Sequence, residues 1–103
     1  MVVEINSENF IDTINSGNVT VVDFFANWCG PCRKMAPLLE EVESELTNVK
    51  FAKINTDENL EMAKKYQVSG LPTLMVFKNG EAVERIVGLM PKSSIITNIE
   101  KHI

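Results

Sequence analysis

The chain has few of the features that mark several large classes of protein. It has two cysteines and one histidine, too few for a disulfide framework spread over a small secreted domain or for a four-ligand structural zinc site. No basic run marks a nucleic-acid interface, no apolar stretch approaches the roughly 20 residues of a membrane span, and no G-x-G-x-x-G fingerprint marks a nicotinamide or flavin site. We therefore expect no metal, no bound cofactor, no nucleic-acid partner and no membrane partner.

The N-terminus and the composition favour a single cytoplasmic domain. The first residues, Met1 to Glu4, lack the basic segment and long apolar run of a secretory signal. A length of 103 residues, of which 45% are hydrophobic and 23% charged, suits one globular domain that folds without stabilising disulfides or metal ions. We predict one domain over residues 1–103, and the formal net charge of −4 favours solubility.

Helix and strand patterns alternate along the chain. The predicted strands span residues 19–26, 49–54, 73–78 and 82–87, and the helices begin near Ser7 as a cap, Pro31, Thr56 and Pro91. A two-residue Asn79-Gly80 turn should join the last two strands as an antiparallel hairpin. The pattern predicts an α/β fold with a central mixed sheet of about four to five strands, helices on both faces, and a C-terminal hairpin and helix.

The most informative motif is Cys29-Gly30-Pro31-Cys32, which holds both cysteines and lies where a buried strand gives way to a helix. The first turn of a helix has unpaired N–H groups and a partial positive charge, and both stabilise a thiolate. Cys29 is therefore the predicted nucleophile, and Cys32, on the same side of that turn, should resolve the mixed disulfide. We expect Cys29 to be exposed and Cys32 shielded, with Gly30 and Pro31 tuning the reduction potential.

Further motifs give the chain a resemblance to a known family. They are Val22-Asp23-Phe24-Phe25-Ala26-Asn27-Trp28 before the cysteines, Pro37, Gly70-Leu71-Pro72-Thr73, Phe77-Lys78-Asn79-Gly80 and Val87-Gly88. Together they resemble the thioredoxin family along essentially the whole chain. The resemblance implies the thioredoxin fold and a general protein disulfide reductase that works by dithiol/disulfide exchange through Cys29 and Cys32. It also implies no cofactor beyond that disulfide, disulfide-containing target proteins, and a thioredoxin reductase, linked to NADPH or ferredoxin, that restores the dithiol.

Asp23 interrupts a strand that is otherwise apolar on both faces, and burial should raise the pKa of its carboxyl. The alternative is a bulge or an edge position where the side chain reaches water. By resemblance, Asp23 lies beneath the cysteines and is the proton acceptor and donor for Cys32, with Lys53 on the neighbouring strand as its charge partner. The alternative for Lys53 is a solvated strand face.

The residues expected to contact substrate surround Cys29. Trp28, beside the nucleophile, favours a contact surface over a place in the core. The resemblance implies a cis Leu71–Pro72 peptide bond that packs against the cysteines and leaves the preceding backbone free to pair with an extended substrate segment. It also implies an apolar rim made of Val87, Gly88 and Leu89. The alternative for Gly88 is a simple strand terminator. Such a patch suits transient docking by a monomer.

The chain departs from the family pattern at Phe25, Asn27 and Leu71, where a second tryptophan, an acidic or other polar residue, and isoleucine are common. None of the three touches the chemistry directly. Two other functions stay open. A thiol oxidase or disulfide isomerase could use the same fold, although Gly30-Pro31 and the lack of a secretory signal argue against it. A binding module, such as an accessory subunit or a holdase, would not need the cysteines.

Overall fold

The computed structural model describes all residues from 1 to 103 and contains five strands and four helices. In chain order they are β1 (Val3–Ile5), α1 (Phe10–Ile14), β2 (Val19–Phe25), α2 (Gly30–Glu45), β3 (Lys50–Asn55), α3 (Leu60–Lys65), β4 (Thr73–Lys78), β5 (Glu81–Val87) and α4 (Lys92–Glu100). The strands form one sheet in the order β1-β3-β2-β4-β5. Strands β1, β3 and β2 are parallel, whereas β4 is antiparallel to both β2 and β5. The predicted mixed sheet is confirmed.

Alternating side chains of the central strand β2 face two separate cores. Val19 and Val21 lie in the core closed by α2 and α4, whereas Val22 and Phe24 lie in the core that includes α1 and the side chains around α3. The predicted placement of helices on both faces is therefore confirmed. Since successive side chains of a strand point to opposite faces, Asp23 points to the same face as Val21, towards α2.

The first helix and the first strand differ from the predictions. Ser7 does not cap α1, which begins at Phe10. Instead the Ser7 N–H and Oγ–H both donate to Asn59 Oδ1, at 2.9 and 3.0 Å. The Ser7 hydroxyl therefore bonds to a residue far along the chain and is not available to cap α1. Strand β1 was not predicted, because its three residues are too few to show an alternating pattern.

Helix α3 begins at Leu60, later than the predicted start at Thr56. The delay has a local cause in the side chain of Asn55, whose Oδ1 accepts hydrogen bonds from the N–H groups of Asp57 and Glu58 at 2.9 and 3.4 Å. Such a side-chain bond offers the backbone an alternative to the helix and holds it in a turn. The acidic residues that indicated a helix start therefore belong to the turn before it.

The hairpin between β4 and β5 agrees with the prediction from the Asn79-Gly80 dipeptide. Both residues have left-handed backbones, with φ of 52° at Asn79 and 84° at Gly80. A two-residue turn with positive φ at both positions matches the twist of the flanking strands, and asparagine and glycine adopt it most readily. The dipeptide therefore sets the type of turn, and the Asn79 N–H also ties it to the Asn18 carbonyl at 3.0 Å.

Phe10 is expected to be the most costly residue of α1 to truncate. Its ring is fully buried, with centroids 6.0, 5.2 and 5.8 Å from those of Phe24, Tyr66 and Phe77. Phe10→Ala opens a cavity among these rings and should lower the free energy of unfolding by about 3–5 kcal/mol. Ile11→Ala, an exposed neighbour on the same helix, should change it by about 0.5 kcal/mol. Urea unfolding followed by circular dichroism measures both, and equal losses would contradict the prediction.

Candidate active site

Cys29 is the N-cap residue of α2, and its extended backbone (φ −83°, ψ 112°) carries the chain from β2 into the helix. The Cys32 N–H donates to Cys29 Sγ over an N···S distance of 3.2 Å. A disulfide joins the two residues, whose Cα atoms are 5.2 Å apart. Free N–H groups and the partial positive charge of the helix terminus therefore act on the Cys29 sulfur, where they would stabilise a thiolate after reduction.

In the disulfide form Cys32 is shielded, as predicted, but the prediction that Cys29 is exposed is wrong. Each cysteine is only 4% exposed. The two pack in one small cluster with Ala26, against the partly buried side chains of Phe25 and Leu71. Joined by the disulfide, the two residues therefore lie in one apolar cluster and are equally buried.

Asp23 is buried on β2 beneath α2, with 3% of its surface exposed. Its Oδ1 has no hydrogen-bond partner. Removal of the carboxyl from water raises the pKa of Asp23 from 3.8 to about 7, and the weaker attraction of Lys53 lowers it. The alternative of an edge or bulge position that reaches water is therefore wrong, because β2 lies in the middle of the sheet.

A cavity of about 180 Å³ lies beside both Asp23 and Cys32. Its remaining lining residues are Phe25, Ala26, Asn27, Arg33, Ala36 and Lys53. The volume exceeds the roughly 30 Å³ that one water molecule occupies in the liquid, and the lining offers polar partners for it. There is thus room for water between the carboxyl and the second cysteine. Cys29 is not part of the lining.

Arg33 at this cavity was missed by the sequence reasoning. Its guanidinium donates from Nη1 to the carbonyl oxygen of Asn27 at 3.0 Å, and its own N–H donates to the Cys29 carbonyl. The first bond spans the loop between β2 and α2, so it holds a positive charge at the cavity. The only signal in the sequence was a basic residue directly after the second cysteine.

Lys53 lies opposite Asp23 in the register of β2 and β3. No ion pair joins the two side chains. The Lys53 Nζ instead lies 5.8 Å from the centroid of the Phe25 ring, a cation–π distance. Lys53 is half-buried and lines the cavity, so it acts on the carboxyl through space rather than through a direct bond.

Trp28 projects from the loop before α2 with 68% of its surface exposed. A place in the core is therefore wrong for this residue. Its Nε1–H donates to Asp57 Oδ2 at 2.8 Å, which fixes one edge of the ring. The sequence reasoning missed Asp57 as a partner, because a contact between residues 29 positions apart leaves no local signal.

The remaining predicted contact residues lie on the segments around Pro72. The Leu71–Pro72 peptide bond is cis, Pro72 is buried, and Leu71 packs against the cysteine cluster. The Gly88 N–H donates to the Pro72 carbonyl at 2.8 Å, and Gly88 has a φ of +91°, which glycine adopts without steric cost. Val87 and Leu89 flank it as exposed apolar side chains outside the cysteine cluster.

Comparison with known proteins agrees with this geometry. The family model described as Thioredoxin matches residues 1–101. The chain belongs to the thioredoxin family. The thioredoxin of Chlamydia pneumoniae is 52% identical over 102 residues, which cover 99% of each chain. A structure of Plasmodium falciparum thioredoxin is similar with a TM-score of 0.92 and 35% identity, over 99% of this chain and all of that one.

One further similar structure concerns the thiol-resolving mechanism of yeast mitochondrial 1-Cys peroxiredoxin via glutathione/thioredoxin systems. The matched chain in it is 29% identical, with a TM-score of 0.89, and the match covers 97% of this chain and 94% of that chain. Family membership and the Cys29–Cys32 pair together make the present chain a protein-disulfide oxidoreductase. It exchanges a dithiol for a disulfide, and a thioredoxin reductase returns it to the dithiol state.

Replacement of Asp23 should stabilise the oxidised protein, and the gain should grow with pH. The unfolded carboxyl titrates near 3.8 and the native one at about 7. Between these values the native state holds a proton that the unfolded state has lost, so the free energy of unfolding of the parent protein falls as the pH rises. Above both values the penalty is complete, up to about 4 kcal/mol. Asp23→Asn removes it.

Urea unfolding of the parent protein and Asp23→Asn at about pH 4, 6 and 8 measures this gain. Asp12→Asn is the matched control, since it removes one exposed carboxylate from α1 instead of a buried one. A stabilisation by Asp23→Asn that stays constant over this range would contradict the assignment of the raised pKa to Asp23.

Proposed function

We propose that the reductase reaction begins with Cys29 and ends with Cys32. The Cys29 thiolate attacks one sulfur of a target disulfide, and a bond forms to Cys29 as the target S–S bond breaks and its other sulfur leaves as a thiolate. The Cys32 thiolate then attacks the Cys29 sulfur and releases the second target thiol. Two electrons have passed to the target, and the protein is left with the Cys29–Cys32 disulfide.

Asp23 is the proton acceptor and donor for Cys32 in this proposal. The observation that carries it is the shared cavity, which is lined by Asp23 and Cys32 and has room for water between them. A carboxyl with a pKa of about 7 exchanges its proton readily in both directions at neutral pH. Lys53, at the same cavity, is the charge partner that favours the ionised carboxylate.

Target proteins dock on an apolar surface around Cys29, which we call the docking surface. Its residues are Trp28, Gly30, Pro31, Leu71, Pro72, Val87, Gly88 and Leu89. The N–H and C=O of Leu71 make no hydrogen bond to another backbone group, so both are free to pair with an extended target segment as an added strand does. Gly30 and Pro31 also tune the reduction potential, since they shape the turn between the two sulfurs.

The partners are disulfide-containing proteins and a thioredoxin reductase linked to NADPH or ferredoxin. The likeness to a chain in the yeast peroxiredoxin structure supports thiol-bearing redox proteins as targets. We propose that the chain acts as one domain, as a monomer in the cytoplasm, with no cofactor beyond its disulfide. No helix has both the length and the apolar character to cross a bilayer, and no three His, Cys, Asp or Glu side chains are grouped as a metal site.

The order of the two cysteines is tested by trapping. Cys32→Ser should accumulate a mixed disulfide between Cys29 and insulin, because the resolving thiol is absent. Cys29→Ser should accumulate none, since it lacks the thiolate at the helix terminus. Non-reducing gels and mass spectrometry identify the adducts. Equal trapping by both variants would contradict the assigned roles, and full function in the double Cys29→Ser, Cys32→Ser variant would favour a binding module.

The role of Asp23 is tested in the second step of the reaction. Asp23→Asn cannot accept a proton, so release of the reduced target from the mixed disulfide should slow by about tenfold or more at neutral pH. Stopped-flow measurements with reduced protein and insulin separate adduct formation from release. Loss of rate in adduct formation alone would assign Asp23 to Cys29 instead of Cys32.

A further inference from the structure

A buried polar network that the proposed chemistry does not use fixes the turn between β3 and α3. Within the turn, Asn55 Oδ1 accepts from the Asp57 and Glu58 N–H groups, and Asn59 Nδ2 donates to the Asn55 carbonyl at 2.9 Å. Asn55 is 4% exposed and Asn59 is 8% exposed. Buried amides are costly unless they are hydrogen-bonded, so each of these side chains holds a defined backbone shape.

Both ends of this turn are tied to other parts of the chain. At its end, Asn59 Oδ1 accepts from the N–H and the Oγ–H of Ser7, 52 residues earlier. At its start, the Thr56 N–H donates to the carbonyl of Phe25, the last residue of β2, at 2.8 Å. The turn is therefore a rigid link between the segment after β1 and the strand that leads to the cysteines.

The middle of the turn carries Asp57, whose carboxylate holds Trp28. The indole ring is mostly exposed, and its N–H bond to Asp57 is its one hydrogen bond. An exposed side chain with two rotatable bonds samples several rotamers unless a contact selects one. The orientation of the ring thus depends on where the turn places Asp57.

We propose that Asn59 is a positioning residue for the docking of target proteins. By closing the turn, it holds Asp57 within bonding distance of Trp28 and keeps the ring in the orientation that receives the target. Asn59 makes no hydrogen bond to either cysteine, so its effect on docking is assigned to Trp28. The inference rests on the proposed role of Trp28 in the docking surface. Without Asn59, the ring must be ordered during docking, and that ordering weakens binding.

Three alanine variants test the inference. Asn59→Ala removes all three hydrogen bonds of the Asn59 side chain, and Ser7→Ala removes only the bond from the Ser7 Oγ–H to Asn59. Asn98→Ala is the matched control, because it removes two asparagine side-chain bonds far from the turn, one to the Ser94 carbonyl and one from Lys101 Nζ. Trp28 is the only tryptophan of the chain, so its indole N–H gives a single resonance in a ¹H–¹⁵N spectrum. The chemical shift of that resonance should change in Asn59→Ala, change less in Ser7→Ala, and remain the same in Asn98→Ala.

The kinetic readout is single-turnover reduction of insulin by the pre-reduced protein over a range of insulin concentrations. In Asn59→Ala the half-saturating insulin concentration should rise roughly threefold to tenfold, the factor that corresponds to ordering one freed side chain. The limiting rate at saturation should stay within about twofold, since the sulfur atoms are untouched. A fall in the limiting rate with no change in half-saturation would overturn the inference.

Trp28→Ala separates the possible failures. If it leaves the half-saturating insulin concentration unchanged, the proposed contact role of Trp28 is wrong, and the inference falls with it. If Trp28→Ala raises that concentration and Asn59→Ala does not, only the positioning role is overturned. If Asn59→Ala does not fold, Ser7→Ala decides, because an unmoved indole resonance in that variant contradicts the proposal.

Discussion

Strand β2 is hydrogen-bonded along both edges and covered on both faces, and this double burial constrains the whole active site. Both faces are largely shielded from bulk solvent, so a carboxyl on the strand loses most of its hydration. Alternation of side chains puts Asp23 on the same face as Val21, below α2, whose first turn holds Cys29 and Cys32. The alternation of side chains along β2 and the packing of α2 over that strand therefore set the position of the Asp23 carboxyl relative to the two sulfurs. No direct bond joins the carboxyl to either sulfur.

The same burial destabilises the protein and gives Asp23 the property on which its proposed role in proton transfer depends. An unpartnered carboxyl opposes folding, and the two apolar cores, including the aromatic cluster around Phe10, offset it. Desolvation also raises the pKa of Asp23 to about 7, where a proton moves easily in either direction. A close ion pair with Lys53 would lower that pKa and remove the advantage. Lys53 instead lies over the Phe25 ring and acts from a distance.

Periodicity and local turn chemistry predicted most of the fold. The apolar run of β2, the helical stripe of α2 and the Asn79-Gly80 hairpin all depend on neighbours in the sequence, and all three appear in the structure. The errors occurred where side chains bond to distant segments. Ser7 carries a capping side chain but bonds to Asn59, and Asn55 holds a turn where a helix was expected. Long-range or competing hydrogen bonds override capping preferences in both places.

The sequence by itself determined the reaction, because both cysteines lie in one motif at a strand-to-helix junction and an acid interrupts the strand before them. Tertiary structure alone decided three things: the equal burial of Cys29 and Cys32, the pairing of Trp28 with Asp57, and the cavity between Asp23 and Cys32. The physical reason is the range of the interactions. Spacing along the chain sets which groups share a helical turn or a strand face, whereas burial and hydrogen bonds between segments exist only after those segments have packed.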